Sequence, residues 1–422
     1  MKFCMITTFF GPKSFGGDAA YVDRLARALL RRGHEVHVIH CADAFHLLRG
    51  GQPERPYKAP EGLVVHELRS PFRGLSPLAT QITGQPWFKA RELAAILDSV
   101  RADVVHFHNI SLIGGPGVLH LGGPATRIMT AHEYWLFCPN HLLWKYGAKA
   151  CDGPECVRCA LAAARPPQLW RHTGLIDRAL QRLDALTFPS RFALEEHRVR
   201  GIGAPLVHLP LFLPDDWSEG IEEDEPEPTA RPYLAAAGRL VKMKGFQRVI
   251  PLMRLLPEVD LRIAGAGPYE PTLRRLARDL PNVRFEGLLG GAGLRRLFHG
   301  ARGVVVPSLF PETFGYVVLE AFATRTPVIV HRGGGALVET GVETGGGLPF
   351  ETDAELLMAM RRIVHDEDMR EDLAHRGYTA RRNGLSETAH MDRYMDLVNG
   401  LRSARPIGTP HTRGARSTAV RP

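Results

Sequence analysis

The feature that most constrains this chain is an alternation that occurs twice. Short apolar runs of strand length alternate with stretches of helical periodicity. The first series holds runs at 2–8, "GHEVHVI", 104–106, 127–132 and 185–190. After the first run, Val22, Leu25, Ala26 and Leu29 fall on one stripe of a helix, and Asp18 is placed to cap it. The second series reads "YLAAAGRL", "DLRIAGAGP", "NVRFEGLL", "GVVVPS" and "TPVIV". Runs that are apolar throughout are buried on both faces, so the pattern predicts parallel sheets covered by helices. Between the series, 219–228 is acidic, Pro-containing and aperiodic, the composition of a linker. The fold class read from this is α/β, with two doubly wound Rossmann-like domains (1–215 and 216–380) facing a central cleft. Helical patterns continue to about Gly400, and 401–422 reads as a basic disordered tail.

Charge and cysteine content narrow the classes. Of the formal net charge of +8, five positive charges fall in 401–422, so the basic balance is largely a property of the tail and gives no reason to expect nucleic acid. The first residues read as a strand rather than a signal peptide, and no apolar run reaches the ~20 residues that span a bilayer. Six cysteines in 422 residues are not a disulfide scaffold, so a cytoplasmic protein is expected.

Strand ends carry the candidate chemistry, because open parallel sheets bind ligands beyond the carboxyl ends of their strands. Gly16 and Gly17 follow the first strand and open a helix, where free N–H groups can meet an anion; a tight turn is the other reading. The phosphate fingerprint G-x-G-x-x-G is absent. Arg239 and Lys244 follow the first strand of the second series and can neutralise a diphosphate, Arg as a planar fork and Lys as a mobile point charge. Gly265 and Gly267 sit at the next strand end and permit close backbone approach.

In "PSLFPETFGYVVLEAFATRTPVIV", Glu312 lies in a loop and Glu320 within the helix that follows. Carboxylates repel phosphates but accept hydrogen bonds from hydroxyls. The helix start around Phe314 and Gly315 offers N–H groups to phosphate, leaving Glu312 for a sugar on one side and Glu320 for a ribose on the other. A solvated loop carboxylate and a salt bridge are the plainer alternatives.

With these residues in view, the chain resembles the retaining glycosyltransferases of GT-B fold grouped as family GT4. The resemblance runs through "GGDAAYVDRLARALLRRGHEVHVI", "VVHFHN", "TAHEYWLFCPN", "GRLVKMKG", "RIAGAGP" and the segment just quoted, nearly the whole chain to about residue 400. It implies that Glu312 approaches the donor sugar, Glu320 binds the ribose, Arg239 and Lys244 bind the diphosphate, Gly17 lies near the phosphates, and His132 is the active-site histidine. It further implies a final helix within 381–401 crossing back to the first domain, and transfer with retention and without a catalytic metal. A UDP-sugar or GDP-sugar is the implied donor, and a glycan, a lipid-linked molecule or a small molecule the acceptor. Thr313 occupies the variable slot of the family's E-x-F-G. An epimerase or phosphorylase on the same architecture, or a non-catalytic sugar-nucleotide module, are the competing readings.

Two further stretches invite prediction. Cys138, Cys151, Cys156 and Cys159 follow the pattern C-x12-C-x4-C-x2-C in a polar excursion, which suggests one structural zinc, two disulfides or four free thiols. Residues 69–94 mix Arg, Lys, Phe and Trp, as for contact with an anionic membrane or a lid over a hydrophobic carrier; a buried helix and loop is equally compatible. His106 and His108 alternate at a strand end like a metal pair, without an evident third ligand.

Overall fold

The computed structural model describes residues 1–49, 54, 56–218 and 231–404. The 219–228 linker and the tail beyond residue 404 lie outside the described residues. The first series comprises β1 (Lys2–Ile6), β2 (Glu35–Cys41), β3 (Leu63–Leu68), β4 (Val104–Phe107) and β5 (Thr126–Thr130). A small hairpin of β6 (Trp144–Lys145) and β7 (Lys149–Ala150) intervenes before β8 (Ala185–Phe188) and β9 (Leu206–His208). The second series is β10 (Tyr233–Ala237), β11 (Asp260–Ala264), β12 (Val283–Gly287), β13 (Gly303–Val306), β14 (Val328–His331) and β15 (Gly347–Phe350).

These strands form a seven-stranded sheet in the order β3-β2-β1-β4-β5-β8-β9 and a six-stranded sheet in the order β12-β11-β10-β13-β14-β15. Every neighbouring pair in both is parallel. The central strands β4, β5, β8 and β13 are buried along their whole length, as strands covered on both faces are. In each sheet the strand order reverses beside the first strand, between β1 and β4 and between β10 and β13. Chains leaving those two strands cover opposite faces, and a crevice opens at the carboxyl ends.

The helix Gly16–Arg31 starts two residues earlier than the sequence suggests. Its N-cap is the extended Phe15, which makes no side-chain cap, and Asp18 lies inside the first turn. Asn109 Nδ2 donates to the Asp18 carboxylate at 3.1 Å.

The final helix, Glu387–Ser403, is capped by Ser386 Oγ, which accepts from the Ala389 amide at 3.2 Å. Its Met391, Tyr394 and Val398 are buried in one cluster with Phe3, Met5 and Val22 of the first sheet layer. Burying Met391 and Val398 contributes about 1.5–3 kcal/mol each. Phe314, Leu319 and Ala323, which follow β13, belong to the same cluster. The two halves therefore share apolar core beneath the cleft as well as the polar contacts described below.

Candidate functional site

Lys244 closes a short turn, Lys242–Lys244, after β10, and Glu312 lies in the loop after β13. Their side chains meet, with Lys244 Nζ 2.8 Å from Glu312 Oε1. Ser308 Oγ donates to the same oxygen. The Glu312 backbone is also held: its amide donates to Gly334 O at 3.0 Å and its carbonyl accepts from Ala336 N at 2.9 Å. A carboxylate only 9% exposed is thus presented in one orientation at the strand end. Arg239, at the mouth of the same loop, is exposed.

Gly315 caps the helix Tyr316–Ala323 in a left-handed conformation (φ 89°). A Cβ there would lie 2.3 Å from Leu337 Cδ2, so the sharp entry into this helix requires glycine. Phe314 is buried beside it. Glu320, in the second turn of the helix, faces the first half of the chain: its Oε1 lies 4.0 Å from Arg24 Nη2. Burial raises the Glu320 carboxyl and the Arg24 guanidinium opposes that rise. Arg24 stacks 4.4 Å over the Tyr316 ring, and the Cβ position of Gly17 is 3.1 Å from that ring. Gly16 and Gly17 are exposed at the start of their helix, on the cleft side.

Packing alone demands glycine at 265 and 267. A Cβ on Gly265 (φ 141°) would sit 1.9 Å from Gly238 O, and one on Gly267 would sit 2.4 Å from Leu240 O. Their bareness lets the loop carrying Arg239 pack on the end of β11.

His132 follows β5. Its Nε2 is 3.1 Å from His108 Nδ1, and the Tyr21 ring lies 5.2 Å away. Burial pushes its imidazole down to about 4, against the pull of Glu133. The His132 carbonyl accepts a hydrogen bond from Thr313 Oγ1 at 2.7 Å.

Sequence reading missed the polar cluster beside His132. Asn109 Nδ2 lies 3.1 Å from Asp18 Oδ2 and 3.3 Å from Glu133 Oε1, and His141 Nδ1 is 2.5 Å from the same Glu133 oxygen. Burial and the Glu133 carboxylate push Asp18 up to about 6. Asn109 closes the "VVHFHN" strand end, which was the one available signal.

The four cysteines gather in one excursion, where the Cys156 thiol lies among Cys138, Cys151 and Cys159. Among the described residues no three His, Cys, Asp or Glu side chains are placed to hold a metal ion, and all four thiols are free. Their sulfurs take other partners. Asn140 Nδ2 and the Tyr146 amide donate to Cys159 Sγ at 3.1 and 3.5 Å, and Cys151 Sγ donates to Gly153 O at 3.4 Å. The excursion is tied by Lys145, whose Nζ lies 2.7 Å from both Asp152 and Glu155. The 69–94 stretch divides. Lys89 is 1% exposed and pairs with Asp43 at 3.3 Å, whereas Phe72 (53%), Leu75 (60%) and Trp87 (66%) are exposed. Among the described residues no helix is long and apolar enough to cross a membrane.

The chain whose two parallel sheets bring Lys244 to Glu312, Glu320 towards Arg24 and Thr313 to the His132 carbonyl matches two family descriptions. Residues 15–212 match Glycosyltransferase Family 4 and 218–380 match Glycosyl transferases group 1. The chain belongs to the GT-B glycosyltransferases. It is 24% identical over 400 residues to the sulfoquinovosyl transferase SQD2 of Arabidopsis thaliana, covering 87% of this chain and 68% of that protein. It is 26% identical over 376 residues to a GDP-mannose-dependent phosphatidylinositol dimannoside mannosyltransferase of Mycobacterium tuberculosis, covering 86% and 88%. Among solved structures, the sucrose-phosphate synthase of Thermosynechococcus elongatus superposes with a TM-score of 0.71 at 19% identity, covering 96% of this chain and all of that one. HepE of Anabaena, solved in complex with UDP, gives 0.68 at 14% identity, covering 95% and 100%. The transferase thus moves a sugar from a nucleotide-diphosphate donor to an acceptor.

Proposed function

We propose that this transferase retains the anomeric configuration, moving a hexosyl unit from a UDP- or GDP-sugar to a hydroxyl of a lipid-bearing acceptor. The observation that carries the reading is the Lys244–Glu312 pair at the switch point of the second sheet. An arriving diphosphate competes for Lys244 and, with Arg239, gives the leaving group two cations as charge develops on it. Glu312, released from Lys244, accepts from a sugar hydroxyl and positions the ring. Glu320 accepts from the ribose at the expense of its long contact with Arg24. The acceptor oxygen bonds to the anomeric carbon on the face from which the phosphate oxygen departs, and that oxygen takes the acceptor proton. No carboxylate is needed on the opposite face.

Two observations support a lipid-bearing acceptor. Phe72, Leu75 and Trp87 form an exposed apolar surface on the first half, with Arg69 and Arg73 beside it, as suits peripheral contact with an anionic membrane. Several relatives are named for phosphatidylinositol mannosides or lipopolysaccharide core. The test is incubation with UDP- and GDP-sugars and lipid-bearing acceptors, with the product anomer read by NMR. Retention supports the reading; inversion, or donor consumption that needs no acceptor, overturns it.

A further inference from the structure

We propose that His108 is a positioning residue that sets the tautomer of His132, so that His132 presents an N–H at Nδ1 to the cleft. The inference rests on the reading of His132 as a donor-contacting residue, and extends it to the chemistry of one atom.

His108 Nδ1 and His132 Nε2 lie 3.1 Å apart. Burial lowers both imidazoles, so two neutral rings share one hydrogen bond and only one of the facing nitrogens carries a proton. The other nitrogen of His108 decides which. His108 Nε2 is buried and has no hydrogen-bond partner. If His132 donated from Nε2, the His108 proton would sit on its own Nε2, an orphaned N–H in the interior. If His108 donates from Nδ1, only a lone pair is left there. Orphaned buried donors are the rarer and costlier case. His108 Nδ1–H therefore donates to His132 Nε2, and the proton of His132 lies on Nδ1. Among the described residues that nitrogen has no hydrogen-bond partner, and it is not sealed in the interior as His108 Nε2 is, so it is the one left for a ligand.

The surroundings hold His108 in this role. The His106 ring lies 4.1 Å from the His108 ring. His106 is itself fixed by Thr130 Oγ1 at 2.8 Å and by Tyr394 OH, on the final helix, at 3.1 Å. Tyr21 packs against both His108 and His132, and its hydroxyl meets His390 Nε2 at 3.1 Å. The charged neighbour of His132 is Glu133, which Asn109 and His141 engage. An N–H at Nδ1 suits an oxygen of the sugar or phosphate. It does not suit a general base, which needs a lone pair aimed at the acceptor hydroxyl.

Long-range proton–nitrogen NMR on the full chain with labelled histidine reads the tautomer directly. In the wild type, His132 should show a protonated Nδ1 and a bare Nε2. His108→Leu should let the Nε2–H form of His132 appear. His108→Asn, whose amide N–H can replace Nδ1–H, should restore the wild-type pattern. With donor and acceptor, His108→Leu should lose about tenfold in kcat with little change in KM, and His108→Asn should recover it. An Nε2-protonated His132 in the wild type overturns the proposal, as does a tautomer change that leaves kcat untouched. If the tautomer is as proposed but no nucleotide sugar is turned over, the functional reading fails and the assignment of His108 stands.

Discussion

The Thr313 hydroxyl donates to the backbone carbonyl of His132 at 2.7 Å, joining the loop after β13 to the end of β5 across the cleft. The bond is reciprocated, since Thr313 O accepts from Ser190 Oγ at 2.7 Å. The carbonyl of His132 is thus engaged by the opposite half. Thr313→Val keeps the volume and removes the donor. Without ligand, this variant should show a larger radius of gyration by X-ray scattering. Its donor affinity should fall by about 1 kcal/mol, roughly fivefold. An unchanged radius and affinity would show that the bond does not hold the halves together.

Lys244 and Glu312 should behave as a unit. Lys244→Met leaves a buried carboxylate with Ser308 as its remaining side-chain partner and should cost about 1–3 kcal/mol of stability in urea unfolding. Adding Glu312→Gln removes the unpaired charge, so the double variant should be more stable than the sum of the single losses predicts. Strict additivity would mean that the pair is not coupled.

Gly265 tests whether a glycine serves the ligand or the fold. Gly265→Ala combines a left-handed φ with a 1.9 Å clash against Gly238 O, so it should cost at least about 2 kcal/mol by thermal melting. Gly17→Ala meets only the edge of the Tyr316 ring at 3.1 Å and should melt close to the wild type. Equal melting of the two variants would contradict this division.

The pH dependence contains two opposing trends. His132, His197 and His390 are pushed down by burial from 6.5 to about 4. Neutral burial of these rings contributes stability that is fully present above pH 6.5 and is lost as pH falls towards 4. Asp18 is pushed up from 3.8 to about 6. It favours the folded state below pH 3.8, and that contribution is lost as pH rises through 6. His40 is likewise lowered to about 4 and Glu320 likewise raised by burial, and the four histidines outweigh the two carboxylates, so the urea midpoint should fall from pH 7 to pH 4. Asp18→Asn should raise the midpoint at pH 7 and change it little at pH 3.5. A midpoint that rises on acidification would contradict the assignment.

Much of the fold was legible because its central strands are rich in apolar residues and its helices periodic, two patterns that survive without tertiary information. The residues of β1, β4, β10 and β13 could be read directly, and the placement of Lys244, Glu312 and His132 at strand ends follows from the order of elements. What could not be read depends on contacts distant in sequence. Asp18 was expected to cap its helix, yet Asn109, 91 residues away, holds its carboxylate. The glycines at 265 and 267 read as ligand-approach residues in sequence, and the packing against Gly238 O and Leu240 O that also demands glycine there was not legible. Lys89 read as part of a basic surface, whereas Asp43 draws it into the interior.

The measurement that tests the central claim most directly is calorimetric titration of the purified chain with UDP and with GDP. The account predicts saturable binding of one of them, weakened at least tenfold by Arg239→Ala through loss of a phosphate contact and by Glu320→Ala through loss of the ribose contact. Binding of neither nucleotide, or binding that both variants leave unchanged, would contradict a donor site at the carboxyl ends of β10 and β13.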